Sequence, residues 1–179
     1  MHSHPQNQYE TRMTESLRSI LLGTSGFTGA VIVALLVTLA RGGVDGDDAR
    51  LRGAVRLAVI ATVLQAAHFG EEFATGFHRR FPALLDLAPW SDGFFLVFNL
   101  LWLAIWAVSI AGLTRRRRIA LFPLWFLAIA GIGNGLGHPL LSLRTGGYFP
   151  GLATSPLVGV AGVLLVRALL AITDERRRP

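Results

Sequence analysis

The chain has no cysteine and no lysine, and charged residues make up only 16% of its 179 positions. Without thiols there is no disulfide and no thiolate metal site, so any bound metal must rely on nitrogen and oxygen ligands. The absence of lysine leaves arginine as the entire basic complement of 17 residues. These arginines sit at the ends of apolar windows and not on a soluble face, which argues against nucleic acid as a partner despite the net charge of +6. What is abundant is hydrophobic sequence, 52% of the chain. That balance belongs to an integral membrane protein.

Five apolar windows of about 20 residues, the length that crosses a hydrocarbon core as a helix, cover roughly residues 20–40, 54–77, 93–113, 119–143 and 153–172. The expected fold is therefore all-α, a polytopic bundle in one domain over residues 20–172. A mobile polar tail (1–19) precedes it and a basic tail (173–179) follows. Histidines in the first tail are expected to do no more than bind adventitious metal. With five spans, Arg12, Arg18, Arg79, Arg80 and Arg144 fall on one side and the other twelve arginines on the opposite side. The positive-inside rule then places the N-terminus outside and the C-terminus in the cytoplasm, in the inner membrane of a bacterium. A cleavable signal peptide ending near Thr38-Leu39-Ala40 is the competing reading of residues 1–40. The apolar run is too long for it, and cleavage would leave the new N-terminus on the arginine-rich side.

Against this apolar background the second window carries Gln65, His68, Glu71, Glu72 and Thr75. Their spacing makes one polar stripe on a helix, with the carboxylates flanking the azimuth of His68. At 1.5 Å per residue, the glutamates lie about 6–8 Å beyond the midplane toward the outside. Asn99, Asn134 and His138, the early hydroxyls Thr24, Ser25 and Thr28, and Thr154 and Ser155 at the mouth of the last window all fall in the same outer half. Together they predict one polar cavity, open or gated toward the extracytoplasmic face. Asn99 and the early hydroxyls are accounted for by ordinary helix-to-helix hydrogen bonding. Ionisable groups at that depth instead mark a site or a proton pathway, and two adjacent glutamates are expected to share a proton.

The fourth window contains GIGNGLGHPLL, in which Gly131/Gly135 and Gly133/Gly137 each read as a small-xxx-small packing pair. Pro139 predicts a kink or an end at His138, with Asn134 one turn earlier on the same face. In the loop that follows, Ser155-Pro156 reads as a cap and N1 proline. Tyr148 and Phe149 suit either an interfacial anchor or the lining of a site entrance, and Arg144 suits a phosphate or carboxylate headgroup or simple flanking charge. The apolar loop 78–93 is expected to lie in the interface, where it could act as a lid.

His68-Phe-Gly-Glu71-Glu72, followed by Asn134 and His138 and then by Tyr148-x-Pro150-Gly151 and Thr154, resembles the HXXEE family of bacterial and archaeal integral membrane proteins, over roughly residues 54–172. The resemblance implies a membrane protein and supports the site, but supplies no reaction.

The residues support three functions. In the first, His68, Glu72 and His138 hold a divalent metal such as Zn²⁺ or Fe²⁺ with an open position, Glu71 is the general base and Asn134 orients a ligand or a developing oxyanion. Asn99, Arg144 and Tyr148 then contact a lipid-like or small hydrophobic substrate, which is hydrolysed or oxidised. In the second, the same groups form the metal-free site of a proton relay, an isomerase or a proton-coupled carrier, the last of which with five spans would need to be a homo-oligomer. The third is a non-catalytic membrane subunit whose polar cluster binds a partner.

Overall fold

The computed structural model describes residues 5–175. The order is α1 (Pro5–Gly23), α2 (Ser25–Ala40), β1 (Arg41–Val44), α3 (Asp48–Thr75), α4 (Phe77–Ala83), α5 (Asp92–Thr114), a short 3₁₀ turn (Arg118–Ala120), α6 (Leu121–Thr145), α7 (Ser155–Ile172) and β2 (Thr173–Glu175). Four helical segments, Asp48–Thr75, Asp92–Thr114, Arg118–Thr145 and Ser155–Ile172, are long and apolar enough to cross a membrane. A fifth span is possible only if α1 and α2, which meet at a 47° bend, are counted as one broken element. The surface agrees with a membrane protein: Leu136, Leu140 and Leu143 on α6 and Val97 and Val108 on α5 are all well exposed, Leu143 by 79%. In water such apolar faces would associate, whereas lipid tails accommodate them.

Local chemistry accounts for the element ends. Asp47 caps α3 by accepting from the Arg50 amide, and Ser91 caps α5 through the Phe94 amide. Gly76 and Gly146, at φ 79° and 71°, close α3 and α6 in the left-handed conformation that glycine adopts without steric cost. α3 continues through Gly70, and α6 continues through Pro139. The expected end at His138 therefore does not occur, and Pro139 forfeits one hydrogen bond inside a helix held by its neighbours.

α6 and α7 pack most intimately, and the reason is steric. A Cβ on Gly135 would lie 2.6 Å from the Gly159 Cα, and one on Gly162 would lie 2.6 Å from the Ala128 carbonyl oxygen. Gly131 and Gly135 thus form the expected small-residue face. Gly133 and Gly137 do not, since nothing lies within 4 Å of a Cβ built on either. They face a cavity instead.

Two parts of the chain depart from the expected tails. Residues 5–23 form α1, where a polar tail was expected through residue 19. At the other end, Thr173–Glu175 pairs antiparallel with Arg41–Val44 as a two-stranded ribbon. The histidines of the first four residues, and residues 176–179 of the basic tail, lie outside the described residues. The ribbon end is clasped by arginine. Arg116, at φ 52°, donates to the Val44 and Gly46 carbonyls and pairs with Asp48 at 2.7 Å, while Arg118 donates to the Thr38 and Arg41 carbonyls. The opposite end carries the α1/α2 bend, α4, and the loops 84–91 and 146–154. The polar groups gather toward that end.

Candidate metal centre

The three residues expected as ligands meet. His68 and Glu72 stand one turn apart on α3, His138 projects from α6, and their nearest ligand atoms all lie within 4.8 Å of one another. Glu72 Oε1 is 3.6 Å from His68 Nε2 and 3.3 Å from His138 Nε2. The rings meet edge to face with centroids 4.7 Å apart. His68 is fully buried and Glu72 only 7% exposed.

The hydrogen bonds behind the rings fix where the protons sit. His138 Nδ1 lies 2.6 Å from the Pro150 carbonyl oxygen, which can only accept, so Nδ1 carries the hydrogen. His68 Nδ1 lies 2.7 Å from Thr154 Oγ1, and that hydroxyl donates its own hydrogen to Glu71 Oε2. His68 Nδ1 must therefore be the donor as well. In its neutral form each ring then keeps its lone pair on Nε2, and both Nε2 atoms face Glu72 Oε1. His68 Nε2 is buried without a hydrogen-bond partner. In that form three acceptors converge with no donor between them, an arrangement that a cation relieves. A tetrahedral site with metal–nitrogen bonds of about 2.0–2.1 Å separates its ligand atoms by about 3.4 Å, close to the two distances found here. The backing of Nδ1 by a carbonyl and by a hydroxyl–carboxylate pair is also the usual outer shell of a metal-ligating histidine. His68, Glu72 and His138 form a buried group that could hold a metal ion.

Glu71 has a different environment from its neighbour. Its carboxylate accepts from the Tyr148 hydroxyl at 2.6 Å, the Ala153 and Thr154 amides at 2.9 and 2.8 Å, and the Thr154 hydroxyl. About 100° of helical rotation aims it at the 148–154 loop and turns Glu72 toward the cavity. The two carboxylates make no hydrogen bond to each other, so no proton is shared between them. With four donors on its two oxygens and no place on the cavity wall, Glu71 does not sit as a general base would. Partial burial, together with the bond to Glu71, raises the Tyr148 phenol above its ordinary value of 10.0.

The same loop explains Gly151. At φ 89° it is strained for any other residue, and a Cβ there would lie 2.5 Å from His138 Cε1 and 2.9 Å from His68 Cε1. Backbone passes directly against both imidazoles. α7 accordingly begins differently than expected: Thr154, not Ser155, occupies the N-cap position, and its hydroxyl makes no cap bond because Glu71 and His68 use it.

A cavity of about 720 Å³ lies between α2, α3, α5 and α6, with Glu72 and His138 on its wall. Phe77 and Phe81 of α4, with Leu85 and Trp90 of the following loop, close its loop end, the position expected of a lid. Most of the remaining lining is aromatic or aliphatic. Thr24, Ser25, Gln65, Asn99 and Asn134 are the polar exceptions. Asn99 donates within its own helix to the Phe95 carbonyl and not, as expected, to a neighbouring helix, while the buried Gln65 Oε1 has no partner. Arg144 is exposed and away from the cavity, and Tyr148 reaches Glu71 instead of the chamber. Phe149 is buried under Arg80, whose guanidinium carbon stands 5.7 Å from the ring centroid. Sequence reasoning passed over Gly151, the Pro150 carbonyl and the outer-shell role of Thr154. It also gave no role to His78, buried and 2.9 Å from Asp92, which ties α4 to the start of α5.

The architecture is that of a helical membrane protein with a two-histidine, one-carboxylate cluster beside an apolar chamber. The chain belongs to the family described as proteins of unknown function with an HXXEE motif, whose model matches residues 59–166. His68, Glu71 and Glu72 are the residues of that motif here. No curated protein and no solved structure matches the chain.

Proposed function

We propose that the protein is an intramembrane metal-dependent enzyme that hydrolyses a lipid-like substrate. The observation that carries this reading is the convergence of His68 Nε2, His138 Nε2 and Glu72 Oε1, with each ring's Nδ1 engaged on the far side by Thr154 or Pro150. A divalent ion there would have three protein ligands and an open position toward the cavity, the arrangement of hydrolytic zinc sites, and would supply an activated water near neutral pH. Glu72, a lining residue of the chamber, would serve as a ligand and, through its second oxygen, could accept that water's proton. Asn134, one turn from His138 on α6 and on the chamber wall, offers an amide donor for charge developing on a substrate oxygen. Glu71 acts as a positioning residue and not as the base, because its oxygens are committed to the 148–154 loop. The arginine distribution supports a site in the extracytoplasmic half of the cell membrane, with the ribbon end in the cytoplasm.

The test is elemental analysis of detergent-purified protein beside His68→Ala, Glu72→Gln and His138→Ala. One equivalent of metal in the wild type, lost from all three variants, is the expected result. A metal-free wild type that stays folded, and that binds no added Zn²⁺ or Fe²⁺, would overturn the reading. One observation favours a second reading: the continuous chain Tyr148–Glu71–Thr154–His68 joins a 46% exposed phenol to a fully buried imidazole. If no metal binds, that chain suits a proton relay, and Tyr148→Phe would slow proton uptake in reconstituted vesicles.

A further inference from the structure

We infer that the chamber binds a neutral amphiphile, an uncharged long-chain amide or ester, and that Gln65 and Asn134 recognise its polar group. This names the ligand class of the site proposed above. It rests on the chamber being that enzyme's binding cavity, but not on the metal being bound.

Charge on the chamber wall decides the class. Among the described residues, Glu72 and His138 are its only ionisable lining residues, and no arginine reaches it. Arg79 is held outside by Asp92 and Arg80 by the Tyr148 carbonyl and the Phe149 ring. In the metal-free chamber a phosphate or carboxylate headgroup would meet Glu72 and no cationic side chain, a combination that costs far too much in an apolar cavity. Amides are instead what the wall offers. Gln65 and Asn134 come from facing helices, and each lies about one to two turns deeper than the cluster residue on its own helix.

Gln65 is not explained by packing. It is 7% exposed, and its Oε1 is buried with no hydrogen-bond partner. Buried polar atoms in folded proteins are nearly always satisfied, so an orphan on a side chain that lines the chamber points to a partner that the chain itself does not supply. A ligand N–H would satisfy the Gln65 oxygen, and a ligand carbonyl would accept from the amides. The polar group would then sit beside the cluster, leaving the chain to fill the aromatic remainder. The volume of about 720 Å³ falls in the range of small-molecule sites.

The tryptophans supply the readout. Trp90, Trp102 and Trp106 line the chamber, and none of the four tryptophans is exposed. Full-length protein in detergent, stripped of metal with chelator, is titrated with dibromostearamide, with dibromostearate and with the bare dibrominated hydrocarbon of equal length, and contact quenching is followed. Stearamide is expected to bind at least several-fold more tightly than the other two. Gln65→Leu and Asn134→Leu should each weaken it about five- to tenfold, the worth of one hydrogen bond. Thermal midpoints report folding, and that of Gln65→Leu should hold or rise because an unmet polar atom is removed. The inference is overturned if stearate or the hydrocarbon binds as tightly as the amide, or if both folded variants keep wild-type affinity. Amide-selective binding together with a wild type that, purified without chelator, holds no metal by elemental analysis and takes up none when it is added would sink the metal reading alone.

Discussion

Thr154→Val keeps the shape of the side chain and removes the hydroxyl that links Glu71 to His68. In the wild type that oxygen accepts from His68 Nδ1 at 2.7 Å and donates to Glu71 Oε2. Valine leaves the buried Nδ1–H without an acceptor and frees the ring to exchange tautomers, which moves the lone pair away from Glu72. Outer-shell changes of this kind lower metal affinity about 10- to 100-fold, or about 1.4–2.7 kcal/mol. His138 retains its bond to Pro150, so the loss should not exceed that range. Glu71 also loses one of four donors, a charge-assisted bond worth about 1.5–3 kcal/mol before solvent compensates for the part-exposed group, and apoprotein stability should fall modestly. The assay is competition for Zn²⁺ against a chromogenic chelator, with thermal unfolding of the apoprotein alongside, and Thr154→Ser as rescue. A Val variant that loses stability but holds metal like the wild type would show that His68 is not oriented through Thr154, and the tautomer assignment would fail.

Other expectations follow from contacts elsewhere. Gly135→Ala forces α6 from α7, since its Cβ would stand 2.6 Å from the Gly159 Cα, and should cost about 1–3 kcal/mol in unfolding measurements. Gly133→Ala, with nothing within 4 Å, should be close to neutral, and equal losses for the two would refute the packing argument. Tyr148 should ionise above the ordinary 10.0, read from phenolate absorbance in a Tyr9→Phe background. A phenol raised in the folded state favours its neutral form there, so its contribution to stability is present below about pH 10 and is lost as pH climbs through the raised value. A normal titration would mean that the Glu71 bond does not form. Arg116→Ala removes three bonds at the ribbon end and should speed hydrogen exchange at the Asp45 amide, whereas Arg117→Ala should leave it unchanged.

The sequence disclosed the parts whose signal is local. Spans are written as apolar length, and the His68/Glu72 pair as helical spacing. His138 was reached by depth alone, because residues at equal heights in neighbouring helices are candidates to meet. What stayed hidden depended on azimuth or on the path of a loop. Nothing in Gly133 and Gly135 says which faces α7, since both repeats have the same form and only the partner's Gly159 selects one. The polar composition of residues 5–19 concealed a helix, and the arginines at 115–118 counted as charge while two of them serve as backbone clasps. Thr154 offered one clue. Two hydroxyl residues precede Pro156, and a helix start needs only one as its cap.

Adjacent glutamates inside an apolar helix look like one doubled negative charge, and Coulomb repulsion would then force a proton between them. The helix prevents that by separating them about 100° in azimuth, so each meets a different environment. Glu71 meets two amides and two hydroxyls from one short loop, which neutralise it with dipoles instead of a countercharge. Glu72 meets two imidazole lone pairs and has no such donors, so its charge is left for a cation to balance. The order of dependence is then set: the first glutamate holds the loop, the loop's Thr154 and Pro150 hold the two rings, and the rings with the second glutamate define the cation position. Glu71→Gln should therefore impair metal binding without touching the metal, and Glu72→Gln should abolish it while leaving the 148–154 loop in place, as amide exchange at Ala153 and Thr154 would report. Loop opening in Glu72→Gln, with metal binding intact in Glu71→Gln, would reverse that order.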